Sequence, residues 1–569
     1  MNNPHQSTLV HQHERRHIWA SWLLPLLLLA LPAVVQAQLS YETNNGTITI
    51  TECFRCGGEF IIPDTINGLP VTGIGDWAFW NCDNLTSVTI PNSVTSIGHA
   101  AFSSCPSLSS VMIGNSVISI GDAAFGYCHS LTDVTIPNSV TSIGDSAFYE
   151  CSGLTRVTIG NSVSSIGYEA FYGCTSLPNV TTPSSVTNIG DEAFLVCSSL
   201  TNITFSNSVV SIGISAFSGC TGLRTVTISS SVTNIGPGAF VLCTNLPAIT
   251  VDVLNPVYST VAGVLFDKNQ TSLNEYPEGK AGTSYTIPDS VTSIGDSAFQ
   301  YCSSLTSITI PDSVTNLGNY AFWFCTSLTT ATIPNNVISI GHAAFYNCTS
   351  LTSATIPDRV TSLGNATFQS CSSLSNLTIG NSVTSLGVQA FDSCCSLTSV
   401  TIPNSVTSIR LSAFTFCRSL TNITIGDSVT SIEPQAFEGC TNLRTIYFKG
   451  NASSAPASSV FYGDTNATVY YLPGTSGWGL TYGGRPTALW FLPNPVILDF
   501  GPSFGVQANK FAFIVSWATN LPVVVEASTN LANPTWSPVA TNTLTSGWSY
   551  FTDPQRTIYP ARFYRLRQP

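Results

Sequence analysis

The chain has 569 residues and a formal net charge of −12, although only 8% of its residues are charged. This length exceeds what one compact core can organise, while a hydrophobic share of 43% is ordinary for folded proteins and excludes general disorder. The sparse positive charge offers no basic stripe for a phosphate backbone, so we expect no nucleic-acid partner.

Residues 1–37 are typical of an export signal. Two arginines precede an apolar run over residues 18–35, and Ala37 ends a triplet that suits signal-peptidase cleavage. Retention of the run as a membrane anchor is the alternative, which two prolines inside it disfavour. We therefore expect a secreted or cell-surface protein with no membrane span after signal removal. The oligomeric state stays open.

Residues 38–81 are predicted to form an amino-terminal cap and a first, irregular repeat. Period-two alternation around Asn45 and Gly46 predicts a β-hairpin. Cys53 and Cys56 are spaced as in redox motifs and half zinc sites, but no second pair or nearby histidine follows. A local disulfide in an exported protein is the interpretation that we favour. We expect no metal and no cofactor.

A period of 23 residues dominates the rest of the chain. It predicts a repeat solenoid with blocks at residues 82–250 and 285–448, in which each coil buries its apolar side chains against its neighbours. The period is carried by fifteen cysteines: Cys82, Cys105, Cys128, Cys151, Cys174, Cys197, Cys220, Cys243, Cys302, Cys325, Cys348, Cys371, Cys394, Cys417 and Cys440.

Each coil is predicted to contain a short strand and a short helical turn. Val88 and Ile90 alternate with outward polar residues, as in a strand with one buried face. Asp145 is a good helix N-cap residue, and Phe148 and Cys151 lie three apart, on one side of a helical turn.

The repeated Leu-x-x-Val-x-Ile, followed by Ile-Gly-x-x-Ala-Phe-x-x-Cys-x-x-Leu, resembles the BspA-type bacterial leucine-rich-repeat surface proteins over residues 62–448. The resemblance implies a right-handed, curved leucine-rich-repeat-type solenoid with its strands on the concave side. It also implies a role in adhesion to host proteins or to other cells.

The fifteen repeat cysteines are predicted to form a row of buried free thiols. Coils stack closely enough for disulfides between neighbours, but the number is odd and free cysteine packs well as a small hydrophobe. His99, His129 and His342 fall in separate repeats, and a catalytic triad needs its members within hydrogen-bond reach. We therefore expect no enzyme.

Three segments depart from the repeat. Residues 251–284 are predicted to form a hairpin-like insertion that protrudes from one coil, either as a purely structural element or as a binding element. Residues 449–490 are predicted to form a carboxy-terminal cap. Residues 491–569 contain five or six alternating segments and are predicted to form a small β-sandwich-like domain.

One outward position of the predicted strand is almost uniform. It is threonine in thirteen of fifteen repeats, and Thr309, Thr332, Thr355 and Thr378 are consecutive examples. Threonine simply suits an exposed strand, which is the plain explanation. The functional hypothesis is that this regular, uncharged surface binds a regular ligand such as a glycan.

Aromatic residues often follow the repeat phenylalanine. Tyr149 with Tyr172, and Trp323 with Tyr346, fall in adjacent coils. They are either exposed stacked platforms for sugars or proteins, or side chains packed against the next coil. The sequence thus predicts a non-enzymatic adhesion protein that binds an extracellular protein or polysaccharide through a solenoid face. The alternative is a structural envelope or matrix component without a discrete site.

Overall fold

The structure is a computed structural model that describes residues 39–569 except 55, 454–457, 501–502, 508–509, 554, 556–557 and 560. The predicted export signal at residues 1–37 lies outside the described residues. Within the described part of the chain, no helix is long and apolar enough to cross a membrane.

Most of the chain forms a solenoid of 23-residue coils, as predicted, and each coil carries two short strands. Ser87, Val88 and Thr89 pair in parallel with the residues 23 positions later. A second strand, Ser96–Ile97, pairs with Ser119–Ile120 in the same way. In each strand the apolar side chain points inward, as a two-residue period requires. The second strand is too short for sequence patterning to predict.

The strands equivalent to residues 87–89 form the first-strand face, and those equivalent to residues 96–97 form the second-strand face. The first-strand face comprises Gly57–Ile61, Asn84–Thr89, Ser110–Met112, Asp133–Thr135, Arg156–Thr158, Asn179–Thr181, Asn202–Thr204, Val226–Ile228, Ile249–Val251, Ser284–Thr286, Ser307–Thr309, Thr330–Ala331, Ser353–Thr355, Asn376–Thr378, Ser399–Ile402, Asn422–Ile425 and Thr445–Phe448. The second-strand face comprises Leu69–Ile74, Ser96–Ile97, Ser119–Ile120, Ser142–Ile143, Ser165–Ile166, Asn188–Ile189, Ser211–Ile212, Asn234–Ile235, Ser272–Glu275, Ser293–Ile294, Asn316–Leu317, Ser339–Ile340, Ser385–Leu386, Ser408–Ile409 and Ser431–Ile432.

The third side of each coil, which we call the turn face, is not helical, so the predicted helical turn is wrong. The N–H groups of Ala100, Phe102 and Ser104 donate to carbonyl oxygens of the next coil at 2.7 to 2.8 Å. An α-helix would direct these groups four residues back along the chain. Ala100 and Ser104 instead adopt positive φ. The described residues contain a short 3₁₀ helix at Ser458–Phe461.

Two stacks of aromatic rings form the centre of the solenoid. The repeat phenylalanines from Phe79 to Phe240 stack with ring centroids 4.7 to 5.7 Å apart. A second stack runs from Tyr276 to Phe461 at 4.9 to 5.6 Å. Each stack belongs to its own cluster of buried residues, so the solenoid has two successive cores.

The repeat cysteines are unpaired and buried, which confirms the predicted thiol row. Most of these thiols donate to the carbonyl oxygen of the phenylalanine in the preceding coil, as Cys105 Sγ does to Phe79 O at 3.1 Å, and Cys302 donates to Tyr276 O. Burial raises the pKa of Cys371 to about 12, so the thiol stays protonated. Cys53 and Cys56 form a disulfide, as the favoured interpretation predicted.

The amino-terminal hairpin has the predicted form. Leu39–Asn44 pairs antiparallel with Thr47–Cys53, and Asn45 in the turn has positive φ. The second hairpin strand then pairs in parallel with Leu69–Ile74, which also pairs antiparallel with Thr65–Ile66. The hairpin therefore extends the second-strand face and covers the first coil.

The interruption between the blocks contains a hairpin, but it does not protrude as predicted. Tyr258–Val261 pairs antiparallel with Val264–Asp267, which pairs with Ser272–Glu275. The last of these strands then takes the second-strand position of a coil. Leu265 packs into the first core and Phe266 into the second, because alternate side chains of this strand face the two blocks.

The carboxy-terminal part closes the solenoid and adds a separate all-β domain. Three further strands continue the first-strand sheet beyond the last complete coil: Thr468–Tyr471, Arg485–Leu489 and Thr481–Tyr482. Two antiparallel sheets then share a small core around Phe513 and Val525. Their strands are Val496–Leu498, Gly505–Gln507, Lys510–Ser516, Pro522–Ser528, Ser537–Thr543, Trp548–Asp553 and Phe563–Arg567. The described residues of this domain thus form seven strands, where five or six were predicted.

Candidate functional site

The first-strand face presents the predicted threonine row. Thr309, Thr332, Thr355 and Thr378 are all exposed, because the side chains next to them along each strand point into the core. Thr355 and Thr378 lie directly opposite each other in a parallel pair. The row is therefore continuous from coil to coil and offers hydroxyl and methyl groups without charge.

Two shallow clefts lie on the first-strand face. One, of about 530 Å³, is lined by Thr378, Asn404 and Lys449 together with neighbouring strand residues. The other, of about 660 Å³ and nearer the amino terminus, is lined by Met112 and Thr135 among others. The row is thus bordered by concave surface at two places.

The turn face carries the two predicted aromatic pairs. Tyr149 and Tyr172 are stacked, with ring centroids 4.5 Å apart and an interplanar angle of 5°. Trp323 and Tyr346 are tilted by 33° at 6.0 Å. All four side chains are half-buried, so each ring packs against its neighbours and still reaches solvent. The structure therefore combines the two alternatives that the sequence left open.

The aromatic pairs belong to larger groups that sequence reasoning missed. Tyr127 packs beside Tyr149 with centroids 5.2 Å apart. Tyr301 and Phe324 contact Trp323 at 4.9 and 4.4 Å. These additional rings follow the repeat phenylalanine by two positions, where the backbone has positive φ and the side chain points outward. Counting two positions after the phenylalanine, as well as one, would have identified them.

Asp and Asn side chains at the start of several turns have a structural role. Asp191 Oδ1 accepts the backbone N–H of Ile214 at 2.7 Å, and Asn319 Oδ1 accepts that of His342 at 2.8 Å. Each such side chain thus satisfies a donor of the next coil that secondary structure leaves unpaired. The same contact is made by Asp76, Asp122, Asp145 and Asp296.

Arg410 and Glu433, which replace the repeat glycine in adjacent coils, lie together. Arg410 Nε is 3.7 Å from Glu433 Oε1, and the other carboxylate oxygen accepts the N–H of Leu411 at 2.7 Å. The glutamate therefore does what Asp or Asn does elsewhere on the turn face. An exposed pair of this kind contributes little stability.

The histidines are not brought together. His99 packs edge-on against Trp77 and His342 against Tyr320, at 5.0 and 5.2 Å between ring centroids. His129 Nδ1 lies 2.8 Å from the carbonyl oxygen of Glu150. No group of three His, Cys, Asp or Glu residues in the described ranges is arranged to hold a metal ion.

A further cleft lies on the turn face where the two blocks meet, and sequence reasoning missed it. This junction cleft has a volume of about 420 Å³. It is lined by Ile214, Ser215, Pro237, Asp296, Ser297, Gln300, Asn319, Tyr320 and Trp323. The irregular 59-residue spacing between Cys243 and Cys302 marked the place without indicating a cavity.

Comparison with solved structures finds similar bacterial leucine-rich-repeat proteins. A leucine-rich cell surface protein from Faecalibacterium prausnitzii is 31% identical, with 73% of this chain and 94% of that chain covered and a TM-score of 0.46. A leucine-rich repeat protein from Eubacterium ventriosum is 28% identical, with coverages of 71% and 93% and a TM-score of 0.47.

A comparison with curated proteins finds no significant match. The profile of the BspA-type leucine-rich-repeat region matches residues 58–177, 164–259, 278–395 and 384–476. These matches cover well over half of the chain and coincide with the stacked coils described above. Together with the 23-residue coil, the inward strand side chains and the stacked phenylalanines, they show that the chain belongs to the BspA-type leucine-rich-repeat family.

Proposed function

We propose that this protein is a non-enzymatic binding protein, secreted or held at the cell surface, that recognises an extended protein or glycan through the first-strand face. The observation that carries the proposal is the continuous, exposed threonine row, in which Thr309, Thr355 and their equivalents repeat from coil to coil. A ligand that repeats along its own length would make the same contact at every coil.

The chemistry of the row favours a neutral, hydroxyl-bearing or amide-bearing ligand. A threonine hydroxyl both donates and accepts hydrogen bonds, and its methyl group supports apolar contact. No charged side chain lies at the row positions from Thr309 to Thr378. The shallow clefts beside the row add concave surface, which binding sites commonly use.

The half-buried aromatic pairs are a second area of contact within the same proposal. The Tyr149–Tyr172 stack and the Trp323–Tyr346 pair expose ring edges and polar tips on the turn face. Such amphipathic side chains are enriched where proteins bind partners. They lie on a different side of the coil from the threonine row, so substitutions separate the two contributions.

The test is a binding screen of residues 38–569 against arrays of glycans and of extracellular-matrix proteins. A variant with Thr309, Thr332, Thr355 and Thr378 changed to Lys is expected to lose the hits of the unaltered protein. Four charged, longer side chains would then interrupt the neutral row in consecutive coils. The matched control carries the same four changes on another side of the coil, at Thr361, Thr384, Thr407 and Thr430, which are also exposed.

Hits that survive in the first-strand variant but disappear in the control would contradict the proposed surface. Hits lost only when Tyr149 and Tyr172 are changed to Ala would assign recognition to the turn face. A folded protein with no hit at all would favour the structural alternative, in which the solenoid acts as an envelope or matrix component.

A further inference from the structure

We propose that the junction cleft is a second, discrete binding site, which takes one or two sugar units of a neutral glycan. It lies on the turn face, includes Trp323 of the aromatic pair described above, and shares no residue with the threonine row, so substitutions in the row leave its lining unchanged.

The cleft exists because one coil lacks its outward turn. In an ordinary coil the stacked ring follows the inward second-strand residue by five positions, as Phe299 follows Ile294, the residue with which Leu273 pairs. In the interrupted coil Tyr276 follows Leu273 by only three, yet its ring still stacks on Phe299 at 5.3 Å. The two omitted residues are those that bulge outward elsewhere, so a gap opens between the neighbouring turns.

The lost turn also leaves a backbone donor to be satisfied. In an ordinary coil the phenylalanine N–H donates to a carbonyl oxygen of the next turn, as Phe217 does to Ala239 at 2.8 Å. Phe240 has no such turn beside it and donates to the carboxyl oxygen Oε1 of buried Glu275 at 2.9 Å. The gap is therefore a consequence of the shortened coil, and Glu275 satisfies the backbone donor that the missing turn would have paired.

Tyr320 and Trp323 supply an aromatic wall. Their rings are edge-to-face with centroids 6.2 Å apart, and Tyr320 is also held against His342 at 5.2 Å. Positive φ at Tyr320 directs this side chain outward. No protein group in the described part of the chain accepts a hydrogen bond from the indole N–H of Trp323. Sugar rings offer C–H faces to such aromatic surfaces and hydroxyls to such donors.

Polar side chains line the rest of the cleft and are free to bind a ligand. The hydroxyls of Ser215 and Ser297 and the amide of Gln300 make no side-chain hydrogen bond within the described residues. Asp296 Oδ1 accepts the backbone N–H of Asn319 at 2.7 Å, and Oδ2 accepts the side-chain amide of Asn319 in a long contact of 3.4 Å, so Oδ2 retains capacity for a further donor. Donors and acceptors thus surround the aromatic wall. The hydroxyl groups of a sugar ring need both, because each hydroxyl donates and accepts hydrogen bonds.

The charge of the lining disfavours anionic ligands. Its charged residue is the carboxylate of Asp296, and no Lys or Arg lines the cleft, which disfavours acidic sugars and phosphate. A volume of about 420 Å³ lies in the usual range for small-ligand sites and accommodates one or two sugar rings. A neutral glycan is therefore the ligand class that fits.

Affinity electrophoresis of residues 38–569 through gels that contain dextran, xylan, galactan or mannan tests the site. We expect at least one polysaccharide to retard the protein, and Trp323→Ala to raise its Kd about tenfold, because a buried aromatic contact is lost. Gln300→Ala should also weaken retardation, and it removes only an amide group, so it remains informative if the tryptophan variant folds poorly.

Trp80→Ala is the matched control, because Trp80 follows its repeat phenylalanine by one position, as Trp323 does, but does not line the junction cleft. It should bind as the unaltered protein does, and so should the first-strand variant with four Lys substitutions. The proposal is wrong if no polysaccharide retards the protein, or if the Trp323 and Gln300 variants bind normally. Loss of retardation in the Lys variant alone would assign the glycan to the first-strand face instead.

Discussion

Two residues in each turn adopt a left-handed backbone conformation, and most of them are not glycine. Ala343 and Asn347, for example, have φ of 49° and 56° and flank Phe345. This geometry costs an L-residue about 1 to 2 kcal/mol relative to a right-handed one. The protein tolerates this cost because the left-handed conformation directs N–H groups of the turn toward carbonyl oxygens of the next coil. Three coils already place a glycine at the second position: Gly173, Gly219 and Gly439.

Ser370→Gly is accordingly expected to stabilise the protein slightly. Ser370 has φ of 61° and its side chain makes no hydrogen bond within the described residues. Relief of the left-handed strain outweighs the extra backbone entropy of glycine by up to about 1 kcal/mol. The urea midpoint should rise. Ser353→Gly, on an exposed strand without positive φ, is the matched control and should lower it. A lower midpoint for Ser370→Gly would contradict this account of the turn.

The thiol row predicts a sharp difference in cysteine reactivity. A cysteine thiolate attacks the methylene carbon of iodoacetamide and displaces iodide, so the reagent must reach the sulfur. Burial makes the repeat thiols inaccessible, and at Cys371 it also raises the pKa to about 12. Cys395 is half-buried and stands outside the 23-residue row. Peptide mapping by mass spectrometry should therefore find alkylation at Cys395 in the native protein, and at the repeat cysteines only after unfolding. If Cys348 were labelled as strongly as Cys395 under native conditions, the predicted difference in reactivity would be wrong.

At the scale of elements, the strand that joins the two blocks contains a buried carboxyl group. Glu275 is 3% exposed, and burial raises its pKa to about 8, although the N–H of Phe240 opposes the shift. The folded state thus holds a proton that the unfolded chain releases above pH 4.5. The free energy of unfolding is therefore expected to fall as the pH rises from about 5 to 8.

Glu275→Gln is expected to remove much of this pH-dependent fall in the free energy of unfolding. The amide oxygen still accepts the N–H of Phe240 and carries no charge at any pH. The variant should match the unaltered protein near pH 5 and exceed it at pH 9 by up to about 4 kcal/mol. Thermal melts across this range measure the difference. Glu278, whose pKa burial raises to about 7, titrates in both proteins, so the comparison isolates Glu275. Identical pH profiles would contradict the assignment.

The elements also show which local signals were reliable. The hairpin at Asn45 was predicted because a turn dipeptide lies between alternating strands, a signal that needs no partner elsewhere. The turn around Phe148 was predicted to be helical because Asp145 is a good N-cap residue and the spacing is three. Hydrogen bonds to the next coil determine the conformation of that segment instead, and these bonds cannot be read from the sequence of the segment alone. The side chains at Asp145 and equivalent positions cap the neighbouring coil rather than a helix.

At the scale of the whole molecule, two cores follow each other along the solenoid, one ending and the other beginning at the interruption. In a repeat array each coil contacts only its neighbours, so stability is distributed locally. Phe345→Ala removes a fully buried ring from the second stack, a change that costs about 3 to 5 kcal/mol in protein cores.

We expect Phe345→Ala to lower hydrogen-exchange protection in residues 285–448 far more than in residues 82–250. Phe148→Ala should have the reverse effect, which makes each variant the control of the other. Exchange followed by peptide mass spectrometry measures both blocks in one sample. Equal loss of protection in the two blocks would show that the joining strand couples them into a single cooperative unit.

The sequence by itself determined the repeat, the coil length, the inward positions, the exposed threonine row and the free thiols, because a strict period places equivalent residues one above another. It also determined that the aromatic pairs lie in adjacent coils. Only the tertiary structure decided that the turn face bonds to the next coil rather than to itself. It likewise decided that the interruption joins two cores, and that a shortened coil opens a cleft. Those features depend on the approach of segments such as Pro237 and Ser297, which lie 60 residues apart in the chain and meet only when the coils stack.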